Sequence, residues 1–131
     1  DPESVKRIIC CSGKVYFDLV AARREGDIKG TAIIRVAQLY PFPHKAFAAE
    51  MKRYPNATQV VGCQEEPQNQ GAWYQTRHYF VENLRENQSL FYAGRPSSAS
   101  PAVGYYAKHQ EQQKALVAAA FGKLKGPGSS K

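Results

Sequence analysis

The 131-residue chain has no apolar run near the roughly 18 residues that a membrane-crossing helix needs, and it lacks the basic start and apolar middle of a secretory signal. No membrane partner is expected. Its three cysteines are an odd number without a CxxC pair, and His44, His78 and His109 lie far apart with no HxxxH or HExxH spacing. A disulfide framework and a zinc site of ordinary spacing are thereby excluded, and reduced, mostly buried thiols are expected instead. Neither a GxxxxGK[ST] loop nor a GxGxxG loop follows the first strand pattern, so the two common nucleotide-cradling loops are missing. No repeat with a period of roughly 20 to 50 residues is visible, which sets aside a solenoid. The opening Asp1-Pro2, without an initiator methionine, reads as the start of an excised piece.

Charge of one sign is plentiful. Eighteen Lys and Arg stand against 11 Asp and Glu, a formal net charge of +7, which would draw acidic partners. The basic residues are scattered, however, with only Lys6-Arg7, Arg23-Arg24 and Lys52-Arg53 adjacent, so a solvated surface outweighs a nucleic-acid groove. No nucleic-acid partner is expected; a stand-alone basic nucleotide- or RNA-binding module is the alternative, and its affinity would fall steeply with salt.

The apolar pattern alternates between two periods. Val5 to Cys11, Thr31 to Val36, Gln59 to Cys63 and Ser89 to Ala93 read as short buried strands. Between them lie helical spacings: Val15, Leu19 and Ala22, with Ser12 as N-cap and Gly26 as terminator; Phe47, Met51 and Tyr54 after Pro43; Trp73, Phe80 and Leu84. A last helix from about Val103 to Leu124 carries Leu116, Val117, Ala120, Phe121 and Leu124 on one stripe, and Trp73 is expected to pack in the interior or an interface. Strands alternating with helices predict a three-layer α/β/α sandwich around a mostly parallel sheet. Residues 1–124 form one domain in this reading, and 125–131 a flexible tail.

In such a sheet ligands gather at the carboxyl ends of the strands. That edge would hold Ser12-Gly13-Lys14, Gln38 with Tyr40, Glu65 with Glu66, and Gly94-Arg95. Glu65 and Glu66 could be an acid and base couple, or the catalytic pair of an independent hydrolase, but structural pairing with a helix start or an arginine is favoured, since no nucleophile or orienting group can be read beside them. Arg35 interrupts an apolar strand and needs a partner, either an acid such as Glu65 or Glu66 or an anion received at the strand end. Arg95, in a Gly-Arg-Pro turn before a helix, with Arg35 and Lys14, forms the candidate effector or anion site. No catalytic, cofactor-binding or metal residue is assigned.

At these same turns the chain resembles a known family. Cys11-Ser12-Gly13-Lys14-Val15-Tyr16, Gln38-Leu39-Tyr40-Pro41-Phe42-Pro43, Cys63-Gln64-Glu65-Glu66-Pro67 with Asn69-Gln70-Gly71-Ala72-Trp73, and Tyr92-Ala93-Gly94-Arg95-Pro96 with Ser100-Pro101-Ala102-Val103-Gly104 are similar to the closing segment of the thiamine-dependent decarboxylase component of 2-oxoglutarate dehydrogenase. The likeness covers residues 5 to 122. It implies a transketolase C-terminal domain fold, commonly with one antiparallel edge strand. It further implies a parent homodimer that decarboxylates 2-oxoglutarate on thiamine diphosphate and magnesium in the citric acid cycle, and passes the succinyl group to the lipoyl-bearing succinyltransferase component. Those cofactors belong to preceding domains, so none is expected on this fragment, which is expected to be inactive alone and to serve domain and dimer packing. Acetyl-coenzyme A or AMP is an effector in some members. The resemblance to bacterial versions implies a cytoplasmic source, or the mitochondrial matrix for a eukaryotic one.

Overall fold

The computed structural model describes residues 2–36, 43–67, 73–95 and 106–122. After a short 3-10 turn at Pro2–Ser4, strands and helices alternate: β1 (Arg7–Cys11), α1 (Val15–Glu25), β2 (Thr31–Arg35), α2 (His44–Lys52), β3 (Gln59–Pro67), α3 (Trp73–Glu82), β4 (Ser89–Arg95) and α4 (Tyr106–Phe121). The four strands form one sheet in the order β2-β1-β3-β4, and every pairing is parallel. The mostly parallel sheet is thus found. An antiparallel edge strand does not occur among the described residues.

Period-2 alternation explains the layers, because successive strand side chains point to opposite faces. Ile8, Cys10, Val60 and Leu90 join Phe47, Met51 and Phe80 from α2 and α3 in one buried cluster. Ile9, Cys11, Val61 and Phe91 join Val15, Leu19, Leu116 and Ala120 from α1 and α4 in the other. The distribution follows from strand order: the step from β1 to β2 runs one way across the sheet, and the steps to β3 and β4 run the other. Right-handed crossovers then set α1 on the face opposite α2 and α3.

Several sequence expectations need correction. β1 starts at Arg7 rather than Val5; the backbone N–H groups of Lys6 and Arg7 both donate to the Gly30 carbonyl, at 2.8 and 3.1 Å. Ser12 does not cap α1. The N-cap is Lys14, with no side-chain cap bond, because the preceding Gly13 turns the chain at φ 76°, a left-handed conformation that disfavours other residues. β3 runs on through Gln64, Glu65 and Glu66 to Pro67, and β4 through Gly94 to Arg95, both beyond the apolar runs. Leu84 and Tyr54 lie just past α3 and α2, packed against the core. Gln38, Tyr40 and Leu124, the start of the last helix at 103–105 and the tail 125–131 lie outside the described residues, as does the side chain of Trp73.

Candidate functional site

Parallel pairing brings the ends of all four strands to one edge. Across it, in spatial order, stand Arg35 of β2, the Ser12-Gly13-Lys14 turn after β1, the Gln64–Pro67 end of β3, and Gly94 and Arg95 of β4. The chain leaves β1 toward β2 on one side and later returns to β3 on the other, so the boundary between β1 and β3 is a topological switch point. In open α/β sheets the crevice outside such a point is the usual ligand position.

The edge divides into two halves. On the β1–β2 side, the exposed Arg35 guanidinium lies over the rings of Phe17 and Tyr16, 5.2 and 5.5 Å from their centroids. The two rings meet edge to face at 5.4 Å, and Phe17 is 59% exposed. Arg35 therefore satisfies its charge by standing at the strand end beside aromatic faces and water, and the penalty of burying an unpaired cation does not arise. Lys14 sits one turn away, where α1 begins.

On the β3–β4 side the register breaks. Gln64 pairs with Gly94 and Pro67 with Arg95, so Glu65 and Glu66 form a bulge with no β4 residue across from them. Gly94 is required here: a side-chain Cβ would come within 2.2 Å of the Tyr92 hydroxyl oxygen and 3.0 Å of the Gln64 carbonyl oxygen. The Tyr92 ring thus runs along the strand and closes over Gly94. Placement by backbone puts Arg95 beside the Glu65-Glu66 bulge. Arg35 is separated from Arg95 by β1 and β3, roughly 14 Å between their backbones at ordinary strand spacing.

Sequence reasoning missed the floor of the switch point. Cys11 and Cys63 are register partners on β1 and β3, both buried on the α1/α4 face. Burial pushes the Cys11 thiol up to about 12, with the Arg35 charge pulling the other way. Cys10, on the opposite face, is raised further by burial and by Cys11. The signal was present, since a Cys at each of two strand ends becomes a pair once those strands are neighbours, but only the strand order makes them so.

A second feature had no sequence signal. Small residues Ala21, Ala22 and Ala118, with Ile28, Val117 and Phe121, line a groove of about 440 Å³ between α1 and α4. Gln113 spans its end, donating to the Asp18 carboxylate at 2.8 Å. Among the described residues no three His, Cys, Asp or Glu side chains gather to hold a metal ion, and no helix is long and apolar enough to cross a membrane.

The family model described as 2-oxoglutarate dehydrogenase C-terminal matches residues 1–121. Among curated proteins, the chain is 69% identical over 122 residues to the 2-oxoglutarate dehydrogenase E1 component of Cupriavidus necator, covering 93% of this chain and 13% of that protein. It is 55% identical over 117 residues to the E1 component of Haemophilus influenzae, covering 89% of the chain and 12% of that protein. The mitochondrial 2-oxoglutarate dehydrogenase of Dictyostelium discoideum is 45% identical over 114 residues, covering 85% and 11%. The chain therefore spans only about an eighth of the length of the relatives it matches.

Proposed function

The chain belongs to the 2-oxoglutarate dehydrogenase C-terminal family, and we propose that it is the closing domain of an E1 component whose whole chain decarboxylates 2-oxoglutarate and hands the succinyl group to a lipoyl carrier. The observation that carries this is 69% identity along 93% of the chain, matched to only 13% of the relative. Identity at that level over a whole domain, covering so little of the partner, is what a part of a larger enzyme gives.

Thiamine diphosphate and magnesium supply the decarboxylation chemistry in the proposed parent. Among the described residues no group of three His, Cys, Asp or Glu side chains that could hold a metal ion is formed. We leave those cofactors to the preceding domains of the parent, as the family resemblance implies, and assign no step of the reaction to this chain. Its own part is packing against the remaining domains and the second protomer of the parent, with residues 1–124 as one folded unit and 125–131 as a tail. Relatives in bacteria and in a mitochondrion support a place in the bacterial cytoplasm or the matrix.

A weak anion-binding role at the strand-end edge is the finer part of the proposal. Lys14 and Arg35 share the β1–β2 half with exposed Phe17, and Arg95 lies at the end of β4, its backbone beside the Glu65-Glu66 bulge. This arrangement favours two separate half-sites over one three-residue clamp. Acetyl-coenzyme A and AMP are the ligands to titrate, because both carry phosphates and a stackable base.

Three measurements test the reading. With thiamine diphosphate and magnesium, the isolated chain should give no 2-oxoglutarate turnover, while a parent E1 lacking this segment should recover assembly when the segment is restored. Turnover by the chain alone, shown free of full-length enzyme, would overturn it. In calorimetric titrations, Arg35→Gln and Arg95→Ala should each weaken effector binding. No heat of binding up to millimolar ligand, or binding by both variants as tight as that of the wild type, would leave these arginines purely structural.

A further inference from the structure

We propose that Cys11 and Cys63 form a dithiol at the neighbouring carboxyl ends of β1 and β3, a modification site at which peroxide closes an intramolecular disulfide in the folded protein. The inference is independent of the family reading and rests on register. Cys11 pairs with Cys63 at the last matched position of β1 and β3, and both side chains belong to the α1/α4 cluster. In-register neighbours of a sheet lie roughly 4.7–4.9 Å apart. That lies inside the Cα separation of roughly 4.4–6.8 Å that a disulfide spans. Parallel strands also aim the two Cβ atoms to the same side.

Cys10 provides an internal control. It points to the opposite face, and its register partners are Ile34 and Gly62, so no thiol faces it across either strand. All three cysteines are reduced in the structure. The Cys11 Sγ presently leans toward β2, where it donates a weak bond of 3.7 Å to the Ile34 carbonyl oxygen. One rotation about its Cα–Cβ bond turns it to β3.

The position is what separates this pair from ordinary core cysteines. Cys11 and Cys63 are 4% and 5% exposed, at the carboxyl ends of their strands, and the Arg35 cation favours the Cys11 thiolate. Burial still holds that thiol at about 12, so the reaction is slow. In the first step the Cys11 thiolate attacks a peroxide oxygen; the O–O bond breaks, and the departing hydroxide takes a proton to leave as water. The Cys63 thiolate then attacks the sulfenic sulfur, the S–S bond forms, and the hydroxyl leaves as a second water. The two sulfurs together give up two electrons, and hydrogen peroxide is reduced to two waters.

The test treats the 131-residue chain with hydrogen peroxide under native conditions and follows intact mass and the thiol count after denaturation. The expected result is loss of two hydrogens and two thiols, with tandem mass spectrometry of the digest linking Cys11 to Cys63 and leaving Cys10 reduced. Cys10→Ser should preserve the mass loss, and Cys11→Ser and Cys63→Ser should each abolish it. A Cys10–Cys11 link, an intermolecular disulfide, or oxidation only at urea concentrations that unfold the chain would overturn the proposal. Should a serine variant fail to fold, the wild-type linkage map decides alone.

Discussion

The two ends of the sheet are built on different terms. At the amino end, side chains tie strands to helix ends. Arg7 donates to the Gln59 amide oxygen at 3.0 Å and to the Ala120 carbonyl at the end of α4 at 2.9 Å. Arg85 reaches the carbonyls of Met51, Tyr54 and Ala57 where α2 ends, and Gln88, buried, donates to Ala57 at 2.9 Å. Helix ends leave carbonyls unsatisfied, and guanidinium groups meet them with charge-assisted bonds. At the carboxyl end, by contrast, Arg35 rests on aromatic faces, Lys14 begins a helix without a side-chain cap, and Glu65 and Glu66 bulge out of register. One end uses its cations to hold the fold together, and the other leaves Lys14 and Arg35 exposed.

The largest effect should therefore come from the amino end. Arg85→Ala removes the guanidinium bonds to the carbonyls of Met51, Tyr54 and Ala57, of which Ala57 keeps Gln88 as a donor, and should lower unfolding stability by about 2–4 kcal/mol in urea melts. A loss below about 0.5 kcal/mol would mean that water replaces the guanidinium without penalty and that the two ends do not differ in this way. Gly94→Ala is the strongest local perturbation available at the carboxyl end. The forced approach to Tyr92 and to the Gln64 carbonyl should cost about 1–3 kcal/mol. Unchanged stability would show that the Tyr92 ring swings clear.

The thiol at the switch point adds a pH dependence of known sign. The Cys11 thiol titrates near 9.0 when unfolded and at about 12 when folded, so above pH 9 the unfolded state sheds its proton first. The stability contributed by the protonated thiol is complete below pH about 9 and is lost as pH rises from there toward about 12. In Cys11→Ala the alkaline fall in stability should be shallower by up to about 1.4 kcal/mol per pH unit in that window. Parallel pH curves for the two proteins would show that Cys11 is not protected by burial. The smallest effect is expected at Arg35→Gln, which removes only exposed contacts with Phe17 and Tyr16 and should cost no more than about 1 kcal/mol. A loss as large as that of Arg85→Ala would make Arg35 a structural residue after all.

The layers were legible residue by residue. The period-2 runs around Ile8, Ile9, Val60 and Val61 needed burial on both faces, and Val15, Leu19, Phe47 and Met51 fell where a helix must meet the sheet. Strand ends were misread for a physical reason. Glu65, Glu66, Gly94 and Arg95 are too polar or too small to signal a strand, yet Gly94 and Arg95 pair with Gln64 and Pro67, and the two glutamates are carried between those paired positions as a bulge. The Ser12 cap failed similarly, because the left-handed turn at Gly13 shifts the helix start past it.

Composition and periodicity alone were enough to establish α/β layering, the opposite facing of Cys10 and Cys11, and the edge on which Lys14, Arg35, Glu65, Glu66 and Arg95 lie, since each follows from local geometry and parallel strands. Tertiary structure decided which strands are neighbours, because pairing depends on the path of each crossover and not on the residues of the strand. That choice set Cys11 against Cys63, stood Arg35 over the first turn of α1, and placed Arg35 and Arg95 on opposite sides of the sheet.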